Sequence, residues 1–92
     1  MLIALIALIA RDKPGALQTR TDNREKHLDY IRETGVVSQA GPLLDEGGAM
    51  CGSLVILEVE DMAAAEGWAE NDPYAKAGLF ESVELIPWKK VI

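Results

Sequence analysis

The chain has little of the side-chain chemistry that disulfides and metal sites require. Its 92 residues include one cysteine, Cys51, and one histidine, His27. One cysteine cannot form an intrachain disulfide, so the sequence fits a reducing compartment and we expect a cytoplasmic location. A single histidine, distant in sequence from Cys51 and without carboxylates at ligand spacing, predicts no metal site. Cys51 has no flanking base and is interpreted as a small apolar filler.

Positive charge is also scarce. Nine lysine and arginine residues stand against fifteen aspartate and glutamate residues, which gives a formal net charge of -6. Nucleic acids and anionic lipid surfaces demand a clustered basic face, and the sequence clusters no such face. The glycine-containing segments match neither the P-loop nor the dinucleotide fingerprint. We therefore expect no nucleic-acid partner, no membrane partner and no cofactor.

Apolar residues make up 49% of the chain, which suits a single folded domain over residues 1–92. The chain begins with ten consecutive apolar residues, MLIALIALIA. Ten residues cannot span a bilayer, and no lysine or arginine precedes them as in a signal peptide. We interpret the segment as buried structure. Its pattern suits a buried helix or a strand that is apolar on both faces.

Local signals position the later elements. Asp22 and Glu25 resemble a capping box, which predicts a helix that runs to about Thr34 and ends at Gly35. The remaining signals predict a short helical turn at 16–20, a strand at 36–44 that kinks or ends at its Gly-Pro step, a turn at 45–48, a strand at 52–60, a helix at 62–70 capped by Asp61 and a strand at 79–86.

If the first element is a strand, the order is the ferredoxin-like βαββαβ arrangement. This is an α+β fold in which an antiparallel sheet carries its helices on one face. The strands at 1–10 and 52–60 are apolar on both faces, although two helices cover only one of them. The other face needs a cover. We therefore expect a homodimer that forms through the open face of the sheet.

His27 is the candidate general base. It shares a predicted helix face with Arg20, Arg24 and Ile31. A lone histidine on a helix is usually solvated or partly packed, so the pattern alone leaves its role open. Asp72 precedes a proline and is interpreted either as a turn former or as the carboxylate that orients His27. Sequence spacing does not decide between these two roles.

Two further side chains carry alternative interpretations. Arg11 ends the first element and suits either a substrate carboxylate or a cap on the sheet. Ser53 follows a glycine at a strand start, but its surroundings do not form a nucleophile elbow, so a serine hydrolase is not predicted.

Longer stretches of the sequence resemble the YCII-related (YciI-like) family. The run NDPYAKAGLFESV from residue 71 and the ending PWKKVI look like the carboxy-terminal signature of these proteins. RxxHL at 24–28, AGP at 40–42 and GS at 52–53 fall in the family's order, so the resemblance spans essentially the whole chain. Relatives often carry proline near position 25. Glu25 stands there in this chain, which affects only how the helix begins.

The resemblance implies a dimeric α/β barrel, distantly similar to muconolactone isomerase, whose first element is a strand. It also implies that His27 and Asp72 meet as an acid–base pair in a pocket beside the sheet. The candidate substrate-binding residues around that pair are Arg11, Arg24, Gly41, Ser53 and Tyr74.

The expected chemistry also follows from the resemblance. One characterised member type removes chloride from a chlorinated hydroxyquinol, whereas most members have no assigned reaction. We therefore expect a lyase or isomerase, without a cofactor, for a small phenolic, lactone or carbonyl-bearing ligand. The rival interpretation is a non-catalytic module that binds a small ligand or serves oligomerisation.

Overall fold

An antiparallel four-stranded sheet with its helices on one face organises the chain. The structure is a computed structural model that describes residues 3–92, so Met1 and Leu2 of the predicted first element lie outside it. The elements are β1 (Ala4–Asp12), α1 (Leu17–Thr34), β2 (Val37–Leu44), β3 (Met50–Val59), α2 (Met62–Asn71), α3 (Pro73–Lys76) and β4 (Phe80–Pro87). The strand order is β2-β3-β1-β4. The predicted ferredoxin-like α+β fold is confirmed, and the first element is a strand.

One face of the sheet, here called the covered face, packs against the helices. Alternate residues of the two central strands form its core, because successive side chains in a strand point to opposite faces. The buried members of this core are Ile6, Leu8 and Ala10 of β1, Val55, Leu57 and Val59 of β3, and Ala65 and Trp68 of α2. Tyr30 and Ile31 of α1 pack at its margin. This burial fixes how both long helices lie on the sheet.

The opposite face, here called the open face, is also apolar. Ala7 is in register with Ile56 of β3 and Ile86 of β4, and Ile9 is in register with Leu54. Leu54 remains 39% exposed and Ile86 remains 42% exposed. Residues 3–92 therefore leave this apolar face without a complete cover.

Helix α1 starts earlier than the capping pattern predicts. Leu17–Thr34 is one continuous helix, so the expected separate turn at 16–20 and the expected start at Asp22 are wrong. Asp22 lies inside the helix, where its carboxylate accepts a hydrogen bond from the Gln18 side chain at 2.7 Å. The first turn is held by an ion pair between Arg20 and the end of β1, a tertiary contact that local capping rules do not include.

The end of α1 follows the prediction. Gly35 adopts a left-handed conformation with φ of 65°, and its N–H donates to the Ile31 carbonyl. A residue without Cβ adopts this conformation at no steric cost.

No helix within residues 3–92 combines the length and the apolar character that crossing a bilayer requires.

Strand β2 continues through its proline instead of ending there. Pro42 is in register with Ser53, and the strand extends to Leu44. Proline is tolerated because β2 is an edge strand, so the missing N–H leaves no ladder bond unmade on its outer side.

Asp61 caps α2 as predicted, since its carboxylate accepts from the Ala64 N–H at 2.9 Å. The short helix α3 was not predicted.

Candidate functional site

A cavity of about 140 Å³ lies between α1 and the covered face of β2 and β3. Its lining combines hydrogen-bonding side chains with an apolar wall. The polar members are Arg20, Arg24, His27, Ser53 and Tyr74. The others are Leu28, Ile31, Ala40, Gly41, Pro42, Met50 and Val55. This combination is typical of small-molecule sites, in which apolar side chains contact the ligand and a few polar groups orient it.

His27 and Asp72 form a buried pair at this cavity, here called the His27–Asp72 pair. The imidazole Nδ1 lies 2.7 Å from Asp72 Oδ1, and the same oxygen accepts the backbone N–H of Tyr74 at 3.0 Å. Because Oδ1 acts as an acceptor, Nδ1 carries the proton and donates it. The other nitrogen, Nε2, therefore keeps its lone pair. Such a nitrogen is a general base.

The lone pair of Nε2 is available to a ligand. Within residues 3–92 this nitrogen has no hydrogen-bond partner, yet no fully buried side-chain nitrogen or oxygen of those residues lacks one. Nε2 is therefore not sealed inside the protein. Since His27 lines the cavity, the lone pair opens to the space that a ligand would occupy.

The sequence around Asp72 explains why its carboxylate is so well placed. Pro73 occupies the first turn of α3, where its missing N–H leaves no bond unmade. Asp72 is the residue that caps this helix, in an extended conformation. The two sequence interpretations of Asp72 are therefore compatible, because one carboxylate both forms the turn and holds the histidine.

Tyr74 holds the imidazole from one side. The two rings stack with centroids 3.9 Å apart and an interplanar angle of 14°. The guanidinium carbon of Arg20 lies 4.7 Å from the tyrosine ring centroid. Burial raises the pKa of the Tyr74 phenol, although the charges of Arg20 and Arg24 oppose this rise. The phenol is therefore a neutral hydrogen-bond donor at neutral pH.

A second polar group lies beside the first. Arg20 binds Asp12 through two parallel hydrogen bonds of 2.7 and 2.8 Å, and its Nη2 also donates to Ser53 Oγ at 3.0 Å. Burial acts to lower the pKa of Arg20, but the hydrogen bond and the negative charge of Asp12 outweigh it and raise this pKa above its ordinary value. The guanidinium is therefore a permanent cation, only 2% exposed.

The structure brings together most of the residues predicted from the sequence. Arg24, His27, Gly41, Ser53 and Tyr74 line the cavity, and Asp72 lies directly behind His27. Arg11 does not join them. It is exposed and in register with Gly52 and Ser82, on the open face, because it follows the buried Ala10 by one residue.

Sequence reasoning missed the roles of Asp12 and Arg20. Two signals pointed to them. Arg20 lies seven residues before His27, hence on the same helix face, and Asp12 continues the inward alternation of Ile6, Leu8 and Ala10. A charged residue at an inward position of a strand requires a buried partner.

Gly52 fixes the position of Ser53. A methyl group on Gly52 would collide with the carbonyl oxygen of Ala10 and press on Leu43. Only a residue without Cβ permits this approach of β3 to β1.

Within residues 3–92 no three histidine, cysteine, aspartate or glutamate side chains are grouped as metal ligands.

Comparison with known proteins relates this arrangement to a family. Residues 4–89 match the YCII-related domain. Over 96 residues the chain is 38% identical to a protein named YciI from Escherichia coli, an alignment that covers 95% of this chain and 98% of that protein. An uncharacterized protein from Haemophilus influenzae is 36% identical, with coverage of 91% and 95%.

Solved structures resemble the chain as well. One is the 5-chloro-2-hydroxyhydroquinone dehydrochlorinase TftG from Burkholderia phenoliruptrix, in complex with 2,5-dihydroxybenzoquinone. It superposes with a TM-score of 0.84 at 35% identity and covers 92% of this chain and 93% of its own. A Pseudomonas aeruginosa protein with a TM-score of 0.61 and 12% identity covers 100% and 97%, and shares the fold alone.

Proposed function

The chain belongs to the YCII-related family, and from that premise we propose that it binds a small molecule and transforms it as a lyase or isomerase without a cofactor. The observation that carries the proposal is the His27–Asp72 pair, whose Nδ1 to Oδ1 distance is 2.7 Å at the wall of a cavity. A carboxylate that fixes the tautomer and the orientation of an imidazole is a recurring device of acid–base catalysis.

The proposed reaction begins with proton transfer. Nε2 of His27 takes a proton from a carbon next to a carbonyl group of the substrate, or from a hydroxyl group conjugated with one, and the electron pair of the broken bond moves through the conjugated system onto the carbonyl oxygen as an enolate. Asp72 stabilises the imidazolium that forms. In a lyase the enolate then re-forms the carbonyl, a carbon–carbon double bond forms as the bond to a leaving group such as chloride breaks, and His27 afterwards releases its proton to solvent. In an isomerase His27 returns the proton to a different atom of the substrate.

The size and polarity of the cavity support a single-ring substrate. About 140 Å³ is close to the ~150 Å³ of an engineered protein cavity that binds benzene. Arg24, Ser53 and Tyr74 bring donors to the wall, which favours ligand oxygens that carry or develop negative charge. We therefore propose a phenolic, lactone or carbonyl-bearing compound. The dehydrochlorinase from Burkholderia, which was solved with a dihydroxybenzoquinone, supports this class.

We also propose that the chain forms a homodimer through the open face of the sheet. Leu54 and Ile86 are exposed on that face beside Ile9 and Ala7, and an apolar sheet face of this kind is ordinarily covered. A second copy of the chain covers it with an identical surface through a twofold axis. Sedimentation velocity at micromolar concentration should then show twice the 10.0 kDa monomer mass.

The function is tested by turnover of a chlorinated hydroxyquinol, followed as chloride release. Wild type should release chloride, and His27→Ala should lower the rate ~10²–10⁴-fold because the general base is gone. Asp72→Asn should also be slow, since the amide keeps the acceptor for Tyr74 N–H but loses the negative charge. Asp29→Asn, an exposed carboxylate on the same helix as His27, is the matched control and should retain full activity.

The result also separates an enzyme from a binding module. If wild type binds small phenols, lactones and carbonyl acids but returns all of them unchanged, the protein is a ligand-binding module and the catalytic proposal is wrong. If chloride release is the same in His27→Ala and in wild type, the reaction proceeds by another route.

A further inference from the structure

We propose that Asp12 and Arg20 are positioning residues that convert the Ser53 hydroxyl into a fixed, charge-assisted hydrogen-bond donor for a ligand oxygen. The inference rests on the proposed function, because it assigns the group that receives the substrate oxygen while His27 handles the proton. It adds a second group of three residues, Asp12, Arg20 and Ser53, beside the His27–Asp72 pair.

Asp12 holds the Arg20 side chain in a fixed orientation. Both of its bonds to Asp12, from Nε to Oδ2 at 2.7 Å and from Nη2 to Oδ1 at 2.8 Å, lie in the plane of one guanidinium. A two-bond arginine–carboxylate contact fixes orientation as well as distance. The side chains are 3% and 6% exposed, so water does not compete for these bonds.

The hydrogen bond between Arg20 and Ser53 has only one possible direction. A guanidinium has five N–H donors and no acceptor, so Ser53 Oγ must accept the bond at 3.0 Å. The hydroxyl proton of Ser53 is then left for another acceptor. Within residues 3–92 no group accepts it, and Ser53 lines the cavity. The proton therefore serves a ligand.

The bond from Arg20 also strengthens the hydrogen bond that the Ser53 hydroxyl can donate. A hydroxyl that accepts a bond from a cation becomes a better donor, because hydrogen bonds in a chain polarise one another. The cation is buried and cannot be neutralised at any physiological pH. Ser53 is thus matched to an oxygen that gains negative charge during reaction.

The positions of the Ser53 hydroxyl and of His27 Nε2 restrict the class of ligand that the cavity can bind. The ligand must present a carbonyl or phenolate oxygen toward Ser53 and an acidic hydrogen toward His27 Nε2, within a single-ring volume. A ring that carries a hydroxyl group conjugated with a carbonyl group satisfies both requirements at once.

The test uses 2,5-dihydroxybenzoquinone as the probe and calorimetric titration as the readout, so it does not depend on turnover. Ser53→Ala should weaken binding about ten- to hundredfold, since one hydrogen bond to a charged oxygen is lost. Arg20→Lys keeps the positive charge but not the planar fork, and should weaken binding by a similar factor. Ser82→Ala on the open face is the matched control and should bind like wild type.

The decisive measurement is the double variant. If Arg20 acts through Ser53, then Arg20→Lys adds nothing to Ser53→Ala. Multiplied effects would show that Arg20 binds the ligand itself and would overturn the inference. Unchanged affinity in Ser53→Ala, or no binding by wild type, would also overturn it, whereas the turnover test of His27 is independent of both. If Arg20→Lys fails to show a cooperative unfolding transition, Asp12→Asn replaces it in the cycle.

Discussion

Leu8 and Ile9 are neighbours in one strand and have different surroundings. Leu8 belongs to the same core cluster as Trp68 on the covered face and is 1% exposed. Ile9 points to the open face, where it pairs with Leu54 of β3. The first face is closed by helices of the same chain and contains the cavity, whereas the second is apolar without such a cover. An apolar pattern therefore reports that a face is to be buried but does not report what buries it.

The largest loss of stability is expected from a charge on the covered face. Leu8→Glu places an unpaired carboxylate among apolar side chains, which costs several kcal/mol against a total stability of about 5–15 kcal/mol. We expect no cooperative unfolding transition by circular dichroism. Ile9→Glu, one residue away on the open face, should still fold. A cooperative transition in Leu8→Glu would show that the covered face is not the core.

A charge on the open face should separate the subunits without unfolding them. Ile86 and Val83 of β4 are 42% and 43% exposed, but they point to opposite faces of the sheet because they are in register with Ala7 and Ala10. Ile86→Glu places two carboxylates at the proposed twofold interface and should raise the dimer dissociation constant at least ~tenfold. Val83→Glu is the matched control.

Sedimentation equilibrium measures both variants. Equal dissociation constants for Ile86→Glu and Val83→Glu would show that the open face is not the interface. Far-ultraviolet circular dichroism should be unchanged in both, since neither side chain belongs to the core cluster.

The smallest effect is expected from alkaline pH on the covered side. Burial raises the pKa of both Tyr74 and Tyr30 in the folded protein. The unfolded chain therefore loses these phenol protons first, at about pH 10, so the stability that they contribute is present below that pH and declines as pH rises further. Urea titrations at increasing pH should show a shallower decline for Tyr74→Phe and Tyr30→Phe than for wild type. Identical declines would contradict the assignment.

Much of the fold was predictable because it depends on local signals. Gly35 ends α1 and Asp61 begins α2 for reasons contained in a few consecutive residues. The start of α1 was not, since the ion pair of Arg20 with Asp12 holds the first turn, and this contact joins a helix to a strand. Repeated Leu-Ile-Ala suits two conformations, so the strand form of the first element came only from the family resemblance.

The candidate site was predictable only in part. Nothing in the sequence indicates that His27 and Asp72, 45 positions apart, meet at 2.7 Å, and the resemblance supplied that pairing. Arg11 was placed among the site residues, but alternation along β1 turns it to the open face. Asp12, the next residue, turns inward and binds Arg20. A difference of one position along β1 thus decides which charged side chain turns to the covered face and binds Arg20.

The same alternation has an evolutionary consequence in β3. Ser53 faces the cavity and Leu54 faces outward, so a substitution at either position changes one face and leaves the other intact. An insertion or deletion in β3 is different, because a shift of one residue moves every following side chain to the opposite face. Such a shift would act first at Gly52, because a residue with a Cβ at this position would collide with the carbonyl oxygen of Ala10. We therefore expect relatives to differ by point substitution at the cavity or on the open face, whereas the length of this strand should stay constant.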